Sequence, residues 1–79
     1  MRVLSTFMVK GRGKVVTVEL GDDCALCVLG GYVSHAGERH RIVGIERHRV
    51  NRELLPGDIV GLLLRPEPAW GDGAEIAFV

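Results

Sequence analysis

The stretch GRGKVVTVEL, residues 11–20, decides the fold. Its two glycines suit a tight turn or a bulge, because glycine adopts positive φ at little steric cost. After the turn, Val16, Val18 and Leu20 alternate with two polar side chains, which is the period of a half-buried strand. A strand is therefore predicted over residues 14–20, paired across the turn with a strand over residues 2–9.

Turn-forming residues divide the rest of the chain into further short apolar segments. Four more strands are predicted, over residues 24–29, 39–48, 59–64 and 74–79. Residues 32–33 are compatible with an additional strand segment, and a helix over residues 47–55 is the main alternative. The predicted core consists of Val16, Val18, Leu26, Val43, Ile45, Val60, Leu62 and Leu64.

Six short strands in one small chain favour an all-β fold closed into an antiparallel barrel. Closure removes the unpaired edges that a small open sheet would expose. The length of 79 residues predicts a single domain, residues 1–79. A chain of this size buries only about 60% of its unfolded surface, so its core is small.

The charge balance restricts the classes of partner. Ten basic and ten acidic side chains give a formal net charge of zero, which argues against tight electrostatic binding to a nucleic acid. Five arginines and two histidines nevertheless crowd residues 39–52. This stretch is either a local basic face or a solvated strand edge, on which charges deter aggregation. We find no signal peptide or membrane helix pattern, so the expected location is the cytoplasm.

The motifs that would indicate catalysis or a cofactor are weak. Gly11–Lys14 is too short for a phosphate-binding loop and leads into a strand, so we expect no GTP binding by this chain alone. Cys24 and Cys27 are spaced as in metal or redox sites, but a strand would direct them to opposite faces. We therefore predict two reduced cysteines, no metal, no cofactor and no enzymatic activity. Trp70 is either a plug of the barrel or an exposed anchor for a partner.

Three segments go further than the strand pattern: FMVKGRGKVVT at residues 7–17, GIERHR at 44–49 and PGDIVGLLLR at 56–65. In this order they resemble the second domain of translational GTPases such as elongation factor Tu. The resemblance implies a six-stranded Greek-key barrel, present here as a free-standing domain. This chain differs from the family at Val18 and Pro66, where glycine is usual, and at Ile59, where a polar residue is usual.

The resemblance also implies a binding site. In the family this domain helps to hold the aminoacylated 3′ end of tRNA, with a glutamate at the terminal ribose and a basic pair nearby. The matching residues here, with the arginine of the glycine turn, are Arg12, Glu46, His48 and Arg49. The predicted partner is tRNA or another RNA 3′ end, or a translation-related protein. The alternative is a protein–protein interaction or accessory subunit with no role in nucleic-acid binding.

Overall fold

The computed structural model describes residues 1–47 and 52–79, and these residues form a single antiparallel sheet. The strands are β1 (Val3–Val9), β2 (Gly13–Glu19), β3 (Tyr32–His35), β4 (Glu38–Arg47), β5 (Ile59–Arg65) and β6 (Ala77–Phe78). The only helical element in this described part is one 3₁₀ turn, Cys24–Leu26. The all-β, six-stranded prediction is thus confirmed. The alternative helix is not found at residues 52–55, and residues 48–51 lie outside the description.

The strands lie side by side in the order β1-β2-β5-β4-β3-β6. The hairpins β1–β2 and β3–β4 join sequence neighbours, whereas β5 inserts between β2 and β4. In the central ladder, Val16 pairs with Leu62 and Val18 with Val60. On the other side of β5, Glu46 pairs with Gly61. The glycine turn before β2 and the end of β4 therefore lie on the same sheet.

The sheet does not close into a barrel, which corrects the sequence-based expectation. β1 and β6 stand at the two ends of the strand order, and no ladder between them occurs in the described residues. The chain segments next to them form one isolated bridge, Arg2 to Glu75, flanked by hydrogen bonds from the Val3 amide to the Ala74 carbonyl (2.9 Å) and from the Ile76 amide to the Met1 carbonyl (2.8 Å). The predicted strand over residues 74–79 contains only Ala77–Phe78, and this pair is hydrogen-bonded to β3. Such a short strand cannot support a second full ladder.

The main core cluster lies on one face of the sheet, because alternate residues of a strand point to the same side. Val15 and Leu63, which pair with each other on the other face, are also buried. Val16 and Val18 of β2 face Val60, Leu62 and Leu64 of β5, and all five are buried as predicted. The remaining members of the core cluster are Val3, Leu20, Cys27, Val33, Ile42, Ile76 and Phe78. Leu20 is fully buried and its carbonyl accepts a hydrogen bond from Gly57 (2.7 Å), which connects the core to the loop before β5.

Val43 was predicted in the core, but 44% of it is exposed. Ile42 pairs with Leu64 and Gly44 pairs with Leu63, so Val43 is the extra residue of a β-bulge. A bulge shifts the alternation by one position. Ile42 consequently points into the core in place of Val43, and Ile45 is partly buried against it.

The predicted strand over residues 24–29 does not form. Cys24–Leu26 makes a 3₁₀ turn, and the Leu26 side chain is 48% exposed instead of buried. The strand that pairs with the first half of β4 is β3, which extends beyond the predicted residues 32–33 to His35. In the described ranges, no helix has the length and apolar character needed to span a membrane.

Candidate functional site

The glycine turn and the end of β4 meet through an ion pair. Gly11 and Gly13 adopt positive φ values of 82° and 108°, which turns the chain between β1 and β2 and projects Arg12 from the tip. The Arg12 guanidinium contacts the Glu46 carboxylate, and both side chains are about half exposed. Arg65 holds the turn in place, since its Nη2 donates a hydrogen bond to the Arg12 carbonyl (2.7 Å). Two residues that are 34 positions apart in sequence thus form one polar surface.

A shallow groove of about 220 Å³ lies beside this ion pair. Gly61 lines the groove and is closely packed, because a Cβ there would stand 2.7 Å from a Val15 methyl and 3.3 Å from the Cβ of Glu46. The other lining residues are Phe7, Thr17, Glu46, Arg47, Ile59 and Val60. Phe7 and Ile59 are each about half exposed, so the groove has apolar walls next to a carboxylate. This combination of an aromatic ring, a carboxylate and arginines fits a polar ligand that also has a flat apolar face.

A second groove of about 280 Å³ shares Arg47, Ile59 and Val60 with the first. Arg52 and Asp58 border this groove and form a bidentate ion pair, in which Arg52 donates to both Asp58 carboxylate oxygens (2.8 and 2.7 Å). The Leu55 amide also donates to Asp58 Oδ2 (2.9 Å). These bonds, from Arg52 first and then Leu55, lower the pKa of the Asp58 carboxyl from 3.8 to about 2. The same pair raises the pKa of Arg52.

The structure brings together the two predicted site residues that it describes, Arg12 and Glu46. The other two, His48 and Arg49, lie outside the described residues. Sequence reasoning missed Phe7 and Gly61 as parts of this surface. Both lie within the segments that carry the family resemblance, so the signal was present, but only the pairing of β2, β4 and β5 shows that they face one groove.

The two cysteines are not arranged as predicted, because they lie on a 3₁₀ turn and not on a strand. Both are free thiols. Cys24 is half-buried and its Sγ donates to the Leu54 carbonyl (3.6 Å). Cys27 is buried, and burial, aided by the neighbouring Cys24, raises the pKa of its thiol to about 11. Within residues 1–47 and 52–79, no three potential ligands are grouped as a metal site would require.

Trp70 is half-buried and packs against the core, which differs from the exposed anchor, and it does not plug a barrel because the sheet is not closed. Its ring lies between His35 and His40, with centroid distances of 5.2 and 5.3 Å. The Trp70 indole donates to His40 Nε2 (3.3 Å), and His40 Nδ1 bonds to the Pro66 carbonyl (2.7 Å). Because an indole only donates and a carbonyl only accepts, these partners assign the proton of neutral His40 to Nδ1.

Comparison of the chain with protein-family models, curated proteins and solved structures finds no match. The resemblance to the second domain of translational GTPases therefore rests on the three sequence segments alone. The fold defines the structural class of this protein: a small all-β protein with one six-stranded antiparallel sheet.

Proposed function

We propose that this chain is a non-catalytic, translation-factor-like module that binds the 3′ end of an RNA such as tRNA in the cytoplasm. The finer fold assignment, a Greek-key arrangement like domain 2 of elongation factor Tu, belongs to the same proposal. Its sequence basis is the match of the segments at residues 7–17, 44–49 and 56–65. The proposal includes no GTP binding by this chain alone, because Gly11–Lys14 is too short for a phosphate-binding loop and leads into β2.

The observation that carries the proposal is the Arg12–Glu46 pair at the edge of the groove lined by Phe7 and Gly61. RNA ends are commonly recognised by stacking of an unpaired base on an aromatic side chain and by hydrogen bonds to ribose hydroxyls. Phe7 offers the aromatic face. Glu46 offers the acceptor, because a carboxylate has about four lone-pair sites and can keep Arg12 while it accepts a hydroxyl. Arg12 is then placed to meet the adjacent phosphate.

The charges of the described surface predict weak binding. Arg12 is paired with Glu46 and Arg52 with Asp58, so two of the nearby cations are already partly neutralised. Two or three phosphate contacts should then give a dissociation constant in the non-specific range, about 10⁻⁴ to 10⁻⁶ M at physiological salt. Base stacking and the ribose contact would supply the preference for an end.

The test is a titration of the folded protein with tRNA and with a short single-stranded RNA between about 50 and 200 mM salt. Arg12→Ala should reduce the slope of log affinity against log salt by about one, and the sequence predicts the same for Arg49→Ala. Arg2→Ala is the matched control, because Arg2 is an exposed arginine near Glu75, at the edge bridge. It should leave the slope unchanged.

A second comparison isolates the ribose contact. Glu46→Ala should weaken binding of an intact 3′ end relative to RNA whose terminal diol has been oxidised by periodate, because only the intact end loses a ribose contact. The release of Arg12 from its ion pair should change the salt slope equally for both RNAs. Absence of binding to any of these RNAs at 50 mM salt, with the protein folded, would refute the RNA proposal.

The second candidate function is a protein-binding accessory subunit. It is favoured by the exposed side chains of Leu26, Val28 and Leu29, which lie within four residues of one another, and by exposed Val43. Leu29 and Val43 line a third shallow groove, of about 330 Å³. If this surface binds a protein, Leu29→Asp should abolish co-purification of that protein from the native host. Met8→Asp, at an equally exposed position on β1, should retain it.

A further inference from the structure

The two cysteines occupy the ends of a single 3₁₀ turn. Cys27 caps the turn, and its amide donates to the Cys24 carbonyl (3.0 Å), which closes the i to i+3 ring. Side chains at i and i+3 of a 3₁₀ turn eclipse each other, so the two thiols lie on the same side. A rise of about 2.0 Å per residue separates their Cα atoms by about 6 Å. Disulfides span Cα distances of about 4.4–6.8 Å, so the Cα spacing of an ideal turn permits one once the two Cβ atoms move to within about 3.5–4.5 Å of each other.

The two thiols differ in their surroundings. Cys24 is half-buried at the surface of the turn, whereas Cys27 is only 4% exposed and belongs to the core cluster. Burial holds Cys27 in its thiol form, with a pKa of about 11, and the proximity of Cys24 contributes to this shift. Thiolates are the nucleophiles in thiol–disulfide exchange, so Cys24 is the residue that an external disulfide can reach and react with first.

We propose that Cys24 and Cys27 are a redox-sensitive modification site, at which a small-molecule disulfide drives formation of an intramolecular disulfide. In the first step, the Cys24 thiolate attacks the external disulfide, forms a mixed disulfide and releases one small thiol. In the second step, Cys27 passes its proton to solvent, its thiolate attacks Cys24 Sγ and the second small thiol is released; the raised pKa of Cys27 makes this the slower step. The protein loses two hydrogens and two electrons, and the external disulfide gains both.

This oxidation changes a contact on the loop between β4 and β5. In the reduced protein, the Cys24 thiol is the donor to the Leu54 carbonyl. A disulfide sulfur carries no hydrogen, so this bond is lost on oxidation. Leu54 lines the groove that Arg52 and Asp58 border. Oxidation of the turn therefore changes a hydrogen bond made by a residue of that groove.

The experiment exposes the folded protein, residues 1–79, to oxidised glutathione and follows it by intact-mass and peptide mass spectrometry. The expected product is lighter by two hydrogens, has Cys24 linked to Cys27, and is restored by a reducing agent. In the same samples, amide signals of Leu54 and Leu55 should shift between the reduced and oxidised forms. A stable glutathione adduct on Cys24 with Cys27 still alkylatable would overturn the proposal, and so would a protein that does not react at all.

Single variants control for the order of the two steps. Cys27→Ala leaves Cys24 alone and should accumulate the mixed disulfide. Cys24→Ser leaves only the buried thiol, and its reaction should be slower by about tenfold or more, because burial suppresses the thiolate. Cys27→Ser serves as a second variant should the alanine change impair folding. Equal reaction rates of Cys24 and Cys27 in the single variants would contradict the assigned roles.

Discussion

Two apolar regions of this chain fold differently, since one forms buried strands and the other forms a largely exposed turn. In β2 and β5, Val16 and Val18 face Leu62 and Val60 across a continuous ladder, and all four are buried. Residues 24–29 are as apolar in sequence, yet they form a 3₁₀ turn followed by exposed Val28 and Leu29. The two regions differ in whether a partner strand lies beside them. β2 has β1 and β5 on its two sides, whereas the strand adjacent to the first half of β4 is β3.

Backbone crowding explains why residues 24–29 cannot extend. A Cβ at Gly31 would lie 3.1 Å from the carbonyl oxygens of Leu26 and Val28, so the chain folds back closely on itself at this point. The Gly31 amide donates to the Val28 carbonyl (3.0 Å), and Gly30 has a φ of 86°. These turn bonds use backbone groups that a strand would offer to a neighbour. Apolar composition alone therefore does not make a strand.

The largest expected effect comes from shortening a side chain in the ladder region. Leu62→Ala should destabilise the protein by about 2–5 kcal/mol, because Leu62 is fully buried in the core. With a total stability of about 5 kcal/mol for so small a domain, the variant will be partly or wholly unfolded. Leu29→Ala, in the turn region, should change the free energy of unfolding by less than about 0.5 kcal/mol. Urea denaturation measures both, and equal losses would refute the contrast between the regions.

The next effect tests the close packing on the opposite face of the same ladder. Gly61→Ala introduces a Cβ 2.7 Å from a Val15 methyl, and forced shifts of this kind cost about 1–3 kcal/mol. Gly21→Ala is the matched control, since its Cβ would meet only Asp23 Oδ1, at an ordinary 3.8 Å. Thermal denaturation of the two variants should show a clear loss for the first and little change for the second. An unchanged melting temperature for Gly61→Ala would show that the sheet is not tightly packed around Gly61.

The smallest effect concerns the loop that precedes β5. Asp58 has a pKa of about 2 in the folded protein, below its ordinary 3.8, because Arg52 and the Leu55 amide bind the carboxylate. Unfolding therefore favours proton uptake, and the stability that Asp58 contributes is present above about pH 4 and lost as the pH falls towards 2. The stability difference between wild type and Asp58→Asn should shrink across this window.

Asp22→Asn, in the exposed turn after β2, is the control for a lost carboxylate. Its difference from wild type should vary less over the same pH range. A pH-independent gap between wild type and Asp58→Asn would show that the Arg52–Asp58 pair contributes nothing to acid stability.

In the candidate site, the local sequence pattern identified individual residues, whereas their contacts depend on the tertiary structure. Arg12 and Glu46 were identifiable from the sequence because each lies in a short segment that resembles a known family. Their ion pair was not, because it depends on β5 lying between β2 and β4. Phe7 and Gly61 were also undetectable as neighbours, since a strand's partner is chosen by packing across the sheet and not by its own residues.

The sequence by itself determined β2, whose apolar residues alternate with polar ones, and it also predicted β1 and β5 as short apolar segments between turn signals. Period-two alternation fixes which face of β2 is buried, so Val16 and Val18 could be assigned without a structure. β5 is apolar on both faces, and its buried residues include Leu63 as well as Val60, Leu62 and Leu64. Only the tertiary structure decided the bulge at Val43, the 3₁₀ turn at Cys24–Leu26 and the open edge between β1 and β6. Each of these depends on which backbone groups find a partner, and that is settled only when distant parts of the chain meet.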